Sequence, residues 1–108
     1  ILQPDVVLTG GITGVARIAT AARAAGLMLT PHSWTNGIGL LANAHLFAGA
    51  GGAPWLEYPW DPPEWSPERR DYPLAGPVRH SGGALELGEV PGLGIVLDEA
   101  SLAATRLT

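Results

Sequence analysis

The sequence predicts an α/β fold made of successive β-α units around a parallel sheet. Three observations carry that prediction. Apolar segments alternate in type along the chain as strand, loop, helix, strand, loop, helix, strand. Polar residues stand at corresponding places on the three strands. They are Asp5, His32 and Glu57, spaced by 27 and 25 residues. A (β/α)₈ barrel of about 250 residues spends roughly 31 on each unit, so these are the spacings of consecutive units. Finally, 46% of the residues are apolar, enough for a packed core and too many for a disordered chain.

Each element has a local reason. Ile1–Thr9 is apolar and β-branched, and reads as a buried strand interrupted by Pro4 and Asp5. Gly10 and Gly11 end it. From Gly14 to Ala25, Val15, Ile18, Ala19, Ala22 and Ala25 recur at helical spacing, with Arg17, Thr20 and Arg23 opposite. Thr13 is the expected N-cap and Gly26 the expected stop. Leu27–Thr30 is short and apolar, the mark of a fully buried strand, and residues 31–36 form the next loop. A second helix is expected from about Gly37 to Ala48, capped by Thr35 or Asn36 and apolar on most sides. Such a helix must be covered on most sides. After the glycine loop Gly49–Ala53, Trp55–Tyr58 is the candidate third strand.

The character then changes. Pro59–Pro73 holds five prolines, two tryptophans and six charges, and reads as a surface segment with polyproline II character. Short β pieces are expected around Pro77–His80, Ala84–Leu87 and Gly92–Leu97, then a terminal helix over Ser101–Arg106 capped by Asp98. Residues 1–58 thus form one unit of organisation and 59–108 a second.

Composition excludes several functions. With 108 residues the chain is one domain at most. No stretch reaches the roughly 18 apolar residues of a membrane span. The absence of cysteine removes disulfides, thiolate metal sites and a cysteine nucleophile. All six basic residues are scattered arginines and the net charge is −4, so no nucleic-acid stripe exists. A cytoplasmic location is the expectation. The chain starts at Ile1 inside an apolar run, and we expect it to belong to a longer protein.

Parallel strands joined by right-handed crossovers put Asp5, His32 and Glu57 on one rim, the rim that carries chemistry in β/α barrels. Neighbouring strands lie roughly 4.8 Å apart, so Asp5 can reach the His32 ring and Glu57 can face both. A carboxylate beside an imidazole fixes its tautomer and stabilises imidazolium, which suits proton transfer. Plainer readings stand beside this one. Asp5 after proline can be a turn residue, His32 a satisfied loop histidine, and Glu57 a half-exposed strand charge. His45 reads as a packing histidine, His80 as exposed, and Arg69–Arg70 as a solvated pair. Trp55, Trp60 and Trp65 read as cover for a sheet edge. Gly10–Gly14 lacks the lysine of a P-loop and the spacing of a dinucleotide fingerprint.

At these residues the chain resembles the enolase superfamily, in its mandelate racemase/muconate-lactonising group. The matching stretches are Leu2–Val6, Gly10–Thr13, Pro31–His32, Ala44–Leu46, Leu56–Tyr58 and the tail Pro91–Ile95. The resemblance implies an α/β fold: the C-terminal portion of a modified (β/α) TIM barrel, about its last three strands with their helices. Residues 59–108 would then connect and return to an N-terminal capping domain. It ends the sixth barrel strand at Asp5, earlier than propensity does. It implies an Asp5–His32 dyad with His32 as general base or acid, Glu57 on the substrate carboxylate or enediolate, and Ser33 and Trp34 shaping the substrate pocket. The reaction implied is abstraction of the proton α to the carboxylate of a hydroxy acid or sugar acid, leading to dehydration or racemisation. Mg²⁺ is the implied cofactor in this superfamily. Its acidic ligands and the second base stand on earlier strands in the group, so none is expected in this lysine-free chain. The missing cap and strands are the implied partners, family members are often homo-oligomers, and the isolated chain is expected to be inactive. Two other readings remain: an α/β binding module using the Trp- and Pro-rich segment 54–73, and a relative that keeps the barrel without the metal site.

Overall fold

The computed structural model describes residues 1–107. Its elements are α1 (Gly11–Ala24), α2 (Gly37–Ala50), α3 (Pro67–Arg70), β1 (His80–Ser81), β2 (Ala84–Leu85) and α4 (Glu99–Ala104). The parallel arrangement is present in its first pairing. Leu2 and Leu29 form a parallel bridge, with Leu2 N donating to Met28 O, Thr30 N to Leu2 O and His32 N to Pro4 O. Residues 53–55 attach to the other side, through Ala53 N on Leu29 O and Thr30 Oγ1 on Trp55 O.

Several expected strands are shorter than the apolar runs suggest. Ile1–Thr9 forms no continuous strand: it contributes the single bridge at Leu2 and turns at Asp5. The Asp5 carboxylate accepts from Val7 N, and its carbonyl accepts from Leu8 N and Thr9 N, so the chain turns there. An aspartate bonding the backbone two residues on is a turn device. Leu27–Thr30 is buried only at Leu29 and Thr30, while Leu27 and Met28 are exposed. Trp55–Tyr58 forms no strand, and Gly92–Leu97 contributes only the antiparallel bridge Leu74–Leu97. The β pieces near 77–87 reduce to the antiparallel hairpin β1–β2.

The helices follow their apolar faces. α1 buries Val15, Ala19 and Ala22 and exposes Arg17, Thr20 and Arg23. It begins at Gly11, not Gly14, and has no side-chain cap from Thr13. Gly10 and Gly11 have φ of 77° and 74°, so the turn after Asp5 runs straight into the helix. α2 is capped by Asn36, whose side chain accepts from Gly39 N, and extends to Ala50. It is buried on most sides, as its pattern demands. It packs on α1 through Val6, Val15, Ala42 and Leu46. Its other face packs on Leu74 and Val78 through Leu40. At Gly37 the chain approaches so closely that a Cβ would lie 2.6 Å from Asp71 Oδ1. α4 begins at Glu99, two residues before the expected Ser101, and ends at Ala104 rather than Arg106, with Asp98 as its cap.

The segment 59–73 is organised from within. Arg70, expected in solvent beside Arg69, is 1% exposed. Its guanidinium takes the Asp71 carboxylate in a fork, Nε to Oδ1 at 2.7 Å and Nη2 to Oδ2 at 2.8 Å. Nη1 donates to Pro59 O and Nη2 to Tyr58 OH, and the guanidinium stacks 4.3 Å from the Tyr58 ring centroid. Asp71 Oδ2 also accepts Val78 N. Burial works against the Arg70 charge, but Asp71 and Tyr58 outweigh it and its pKa is raised. Arg69 is the solvated one, pairing with Glu64 at the surface. No helix among the described residues is long and apolar enough to cross a membrane.

Candidate active site

Asp5 sits at the end of the first extended stretch and is 3% exposed. Its Oδ1 accepts two N–H groups, from Val7 N at 2.9 Å and Asn43 Nδ2 at 3.0 Å. Its Oδ2 faces His32 Nδ1 at 3.1 Å. Burial raises the pKa of this carboxyl, but the bonds from Asn43, Val7 and His32 together hold it below the ordinary aspartate range. An ionised carboxylate only accepts, so in the neutral imidazole Nδ1 carries the proton and Nε2 presents its lone pair. The His32 side chain is 39% exposed, and Nε2 has no hydrogen-bond partner among the described residues.

Glu57 meets this pair through the loop that follows His32. Its Oε2 accepts from Ser33 N at 2.6 Å. Ser33 itself is fully buried, with Oγ 3.5 Å from Pro31 O, so its backbone and not its hydroxyl makes the contact with Glu57. Trp34 is 36% exposed and stands edge-on to Trp65, with centroids 5.5 Å apart. His45 is half-buried. His80 is exposed and packs edge-on against Tyr58.

Asn43 escaped the sequence reading. It is 0% exposed on α2, accepts Val6 N at 3.1 Å and donates to Asp5. The signal was there: an amide between Ala42 and Ala44 on a helix buried on most sides must find partners. Among the described residues no three His, Asp or Glu side chains are placed to hold a metal ion. These residues by themselves therefore do not fit a magnesium site.

The low Asp5 pKa has a sign that can be measured. A carboxyl whose pKa is depressed on folding contributes stability fully above its unfolded pKa, and that contribution is lost as pH falls through the folded value. Asp5→Asn is therefore expected to lower the melting temperature near neutrality. The gap from the unsubstituted protein should shrink below about pH 4. A gap constant from pH 7 to pH 3 would show that the Asp5 charge contributes nothing.

A half-exposed imidazole oriented by a buried carboxylate is an arrangement chemically suited to proton transfer. Residues 1–101 match the family described as Enolase C-terminal domain-like, and the chain belongs to that family, within the enolase superfamily and its mandelate racemase/muconate-lactonising group. It is 33% identical over 97 residues to an arabinonate dehydratase of Saccharolobus solfataricus, covering 90% of this chain and 25% of the relative. It is 30% identical over 112 residues to a D-galactarolactone cycloisomerase of Agrobacterium fabrum, covering 99% and 29%. A crystal structure of a mandelate racemase/muconate lactonizing protein from Paracoccus denitrificans PD1222, complexed with magnesium, superposes with a TM-score of 0.75 at 34% identity, covering 96% of this chain and 27% of that one. The chain spans about a quarter of the length of the relatives it matches.

Proposed function

We propose that this chain supplies the proton-transfer side of an enzyme that removes the proton α to the carboxylate of a hydroxy acid or sugar acid, as a dehydratase or racemase. The observation that carries it is the 3.1 Å contact between His32 Nδ1 and the ionised Asp5 carboxylate, with Nε2 left free. One curated relative is named for a sugar acid, arabinonate, and the other for a sugar-acid lactone, galactarolactone, which supports the substrate class. In this reading residues 1–58 are the last three strands of a (β/α) barrel with their helices, and 59–108 lead back to a capping domain.

Neutral His32 takes the α-proton on Nε2, and the C–H electron pair moves into the enediolate. Asp5 stabilises the imidazolium so formed without itself taking the proton. Glu57, in its protonated form, donates its carboxyl O–H to an oxygen of the substrate carboxylate or the enediolate, and Ser33 and Trp34 shape the pocket around it. Return of the proton from His32 to its own face gives exchange without inversion, and delivery of a proton to the opposite face by a second acid outside residues 1–107 gives racemisation. Expulsion of a β-hydroxyl, protonated by imidazolium, gives water and the dehydrated enol. Magnesium would be held by carboxylates outside residues 1–107 and would stabilise the enediolate charge.

The test is proton NMR in D₂O on the enzyme that carries this chain, with magnesium and a panel of aldonates, aldarates and simple α-hydroxy acids. We expect loss of the α-proton signal, or a 2-keto-3-deoxy product, with at least one of them. A folded enzyme that exchanges the α-proton of none overturns the proposal.

A further inference from the structure

We infer that Asn43 is a positioning residue for this proton transfer: its buried amide, held on both sides, sets the Asp5 carboxylate and through it the tautomer of His32. The inference rests on the proton-transfer reading of Asp5 and His32 above. Asn43 Nδ2 uses both hydrogens, one on Asp5 Oδ1 at 3.0 Å and one on Gly39 O at 3.2 Å. Its Oδ1 accepts Val6 N at 3.1 Å. Turning the amide over would set oxygen against two acceptors and nitrogen against a donor, so one orientation is fixed.

The consequence passes along the contacts. Oδ1 of Asp5 is occupied by two donors, the amide of Asn43 and Val7 N. Oδ2 alone remains for His32, the only titratable side chain in hydrogen-bond contact with Asp5 among the described residues. The carboxylate therefore cannot rotate away from the imidazole without abandoning buried donors, and the imidazole is held with its proton on Nδ1. For packing alone an apolar residue would serve, as it does at the buried neighbours Ala42 and Ala44. What the amide adds is the capacity to accept from the backbone on one side and donate to a carboxylate on the other.

Two measurements on the enzyme that carries this chain decide the matter. Asn43→Asp keeps the size and the acceptor for Val6 N. The introduced carboxyl donates to Asp5 only while protonated, and touching carboxyls share a proton at raised pKa. We expect α-proton exchange near the unsubstituted rate on the acid side. It should fall by roughly tenfold or more as pH rises and that proton leaves, in kcat rather than KM. In Asn43→Leu, ¹⁵N NMR of the histidines should show His32 losing its single Nδ1–H tautomer. An unchanged pH profile together with an unchanged tautomer overturns the inference. If Asn43→Leu does not fold, Asn43→Asp decides alone. If His32→Asn leaves exchange intact, the proton-transfer reading falls, while the tautomer measurement still reports on Asn43, Asp5 and His32.

Discussion

On the proposed proton-transfer reading, His32→Asn is expected to cut α-proton exchange by the enzyme that carries this chain by roughly 10²–10⁴-fold, the usual contribution of a positioned acid or base. The reason lies in the two ring nitrogens. Nδ1 faces Asp5 Oδ2 at 3.1 Å, and the other nitrogen is the one open to a substrate. An asparagine amide can still donate to Asp5, which preserves the buried carboxylate's third partner. It has no lone pair of comparable basicity to offer outward. Stability should therefore change little while the rate collapses, and parallel melting curves and exchange rates measure both. Loss of exchange with an intact fold assigns the proton transfer to His32. Retention of exchange removes His32 from the chemistry.

Arg70→Ala is expected to destabilise the protein by about 3–5 kcal/mol, the cost of leaving one member of a buried ion pair without the other. Asp71 would be left at 5% exposure with only Val78 N to satisfy its carboxyl. Pro59 O and Tyr58 OH would lose their donor as well. The neighbouring Arg69→Ala is the control. Arg69 and its partner Glu64 are 63% and 73% exposed, and such pairs contribute about 0–1 kcal/mol. Urea titrations of the two variants should differ by several kcal/mol. Equal losses would mean that Arg70 is not buried in solution.

The contrast between these adjacent arginines shows where reading the sequence stops. Arg69 and Arg70 lie side by side in a charged, proline-rich run, and nothing in that run separates them. Only the approach of Tyr58, Pro59 and Asp71 to one of them does. Asn43 is a similar case. Its burial follows from the apolar pattern of α2, but its partners Val6 and Asp5 lie 37 and 38 residues away. Ile1–Thr9 failed for the opposite reason. Its β-branched composition outweighed a local turn signal, Pro4–Asp5, that was already legible.

What the sequence determined by itself is local and periodic. The faces of α1 and α2, the cap at Asp98, a cap for α2 at Thr35 or Asn36, and the regular spacing of Asp5, His32 and Glu57 all follow from residue type at short range. The tertiary structure alone decided which carboxylate oxygen meets which donor, that Ser33 N joins Glu57 to the His32 loop, and that Arg70 is buried while Arg69 is not. The physical reason is that periodicity reports only that a face is withdrawn from water. A polar group withdrawn with it survives only if a partner arrives, and here the partners of Asn43 and Asp5 come from other turns of the fold.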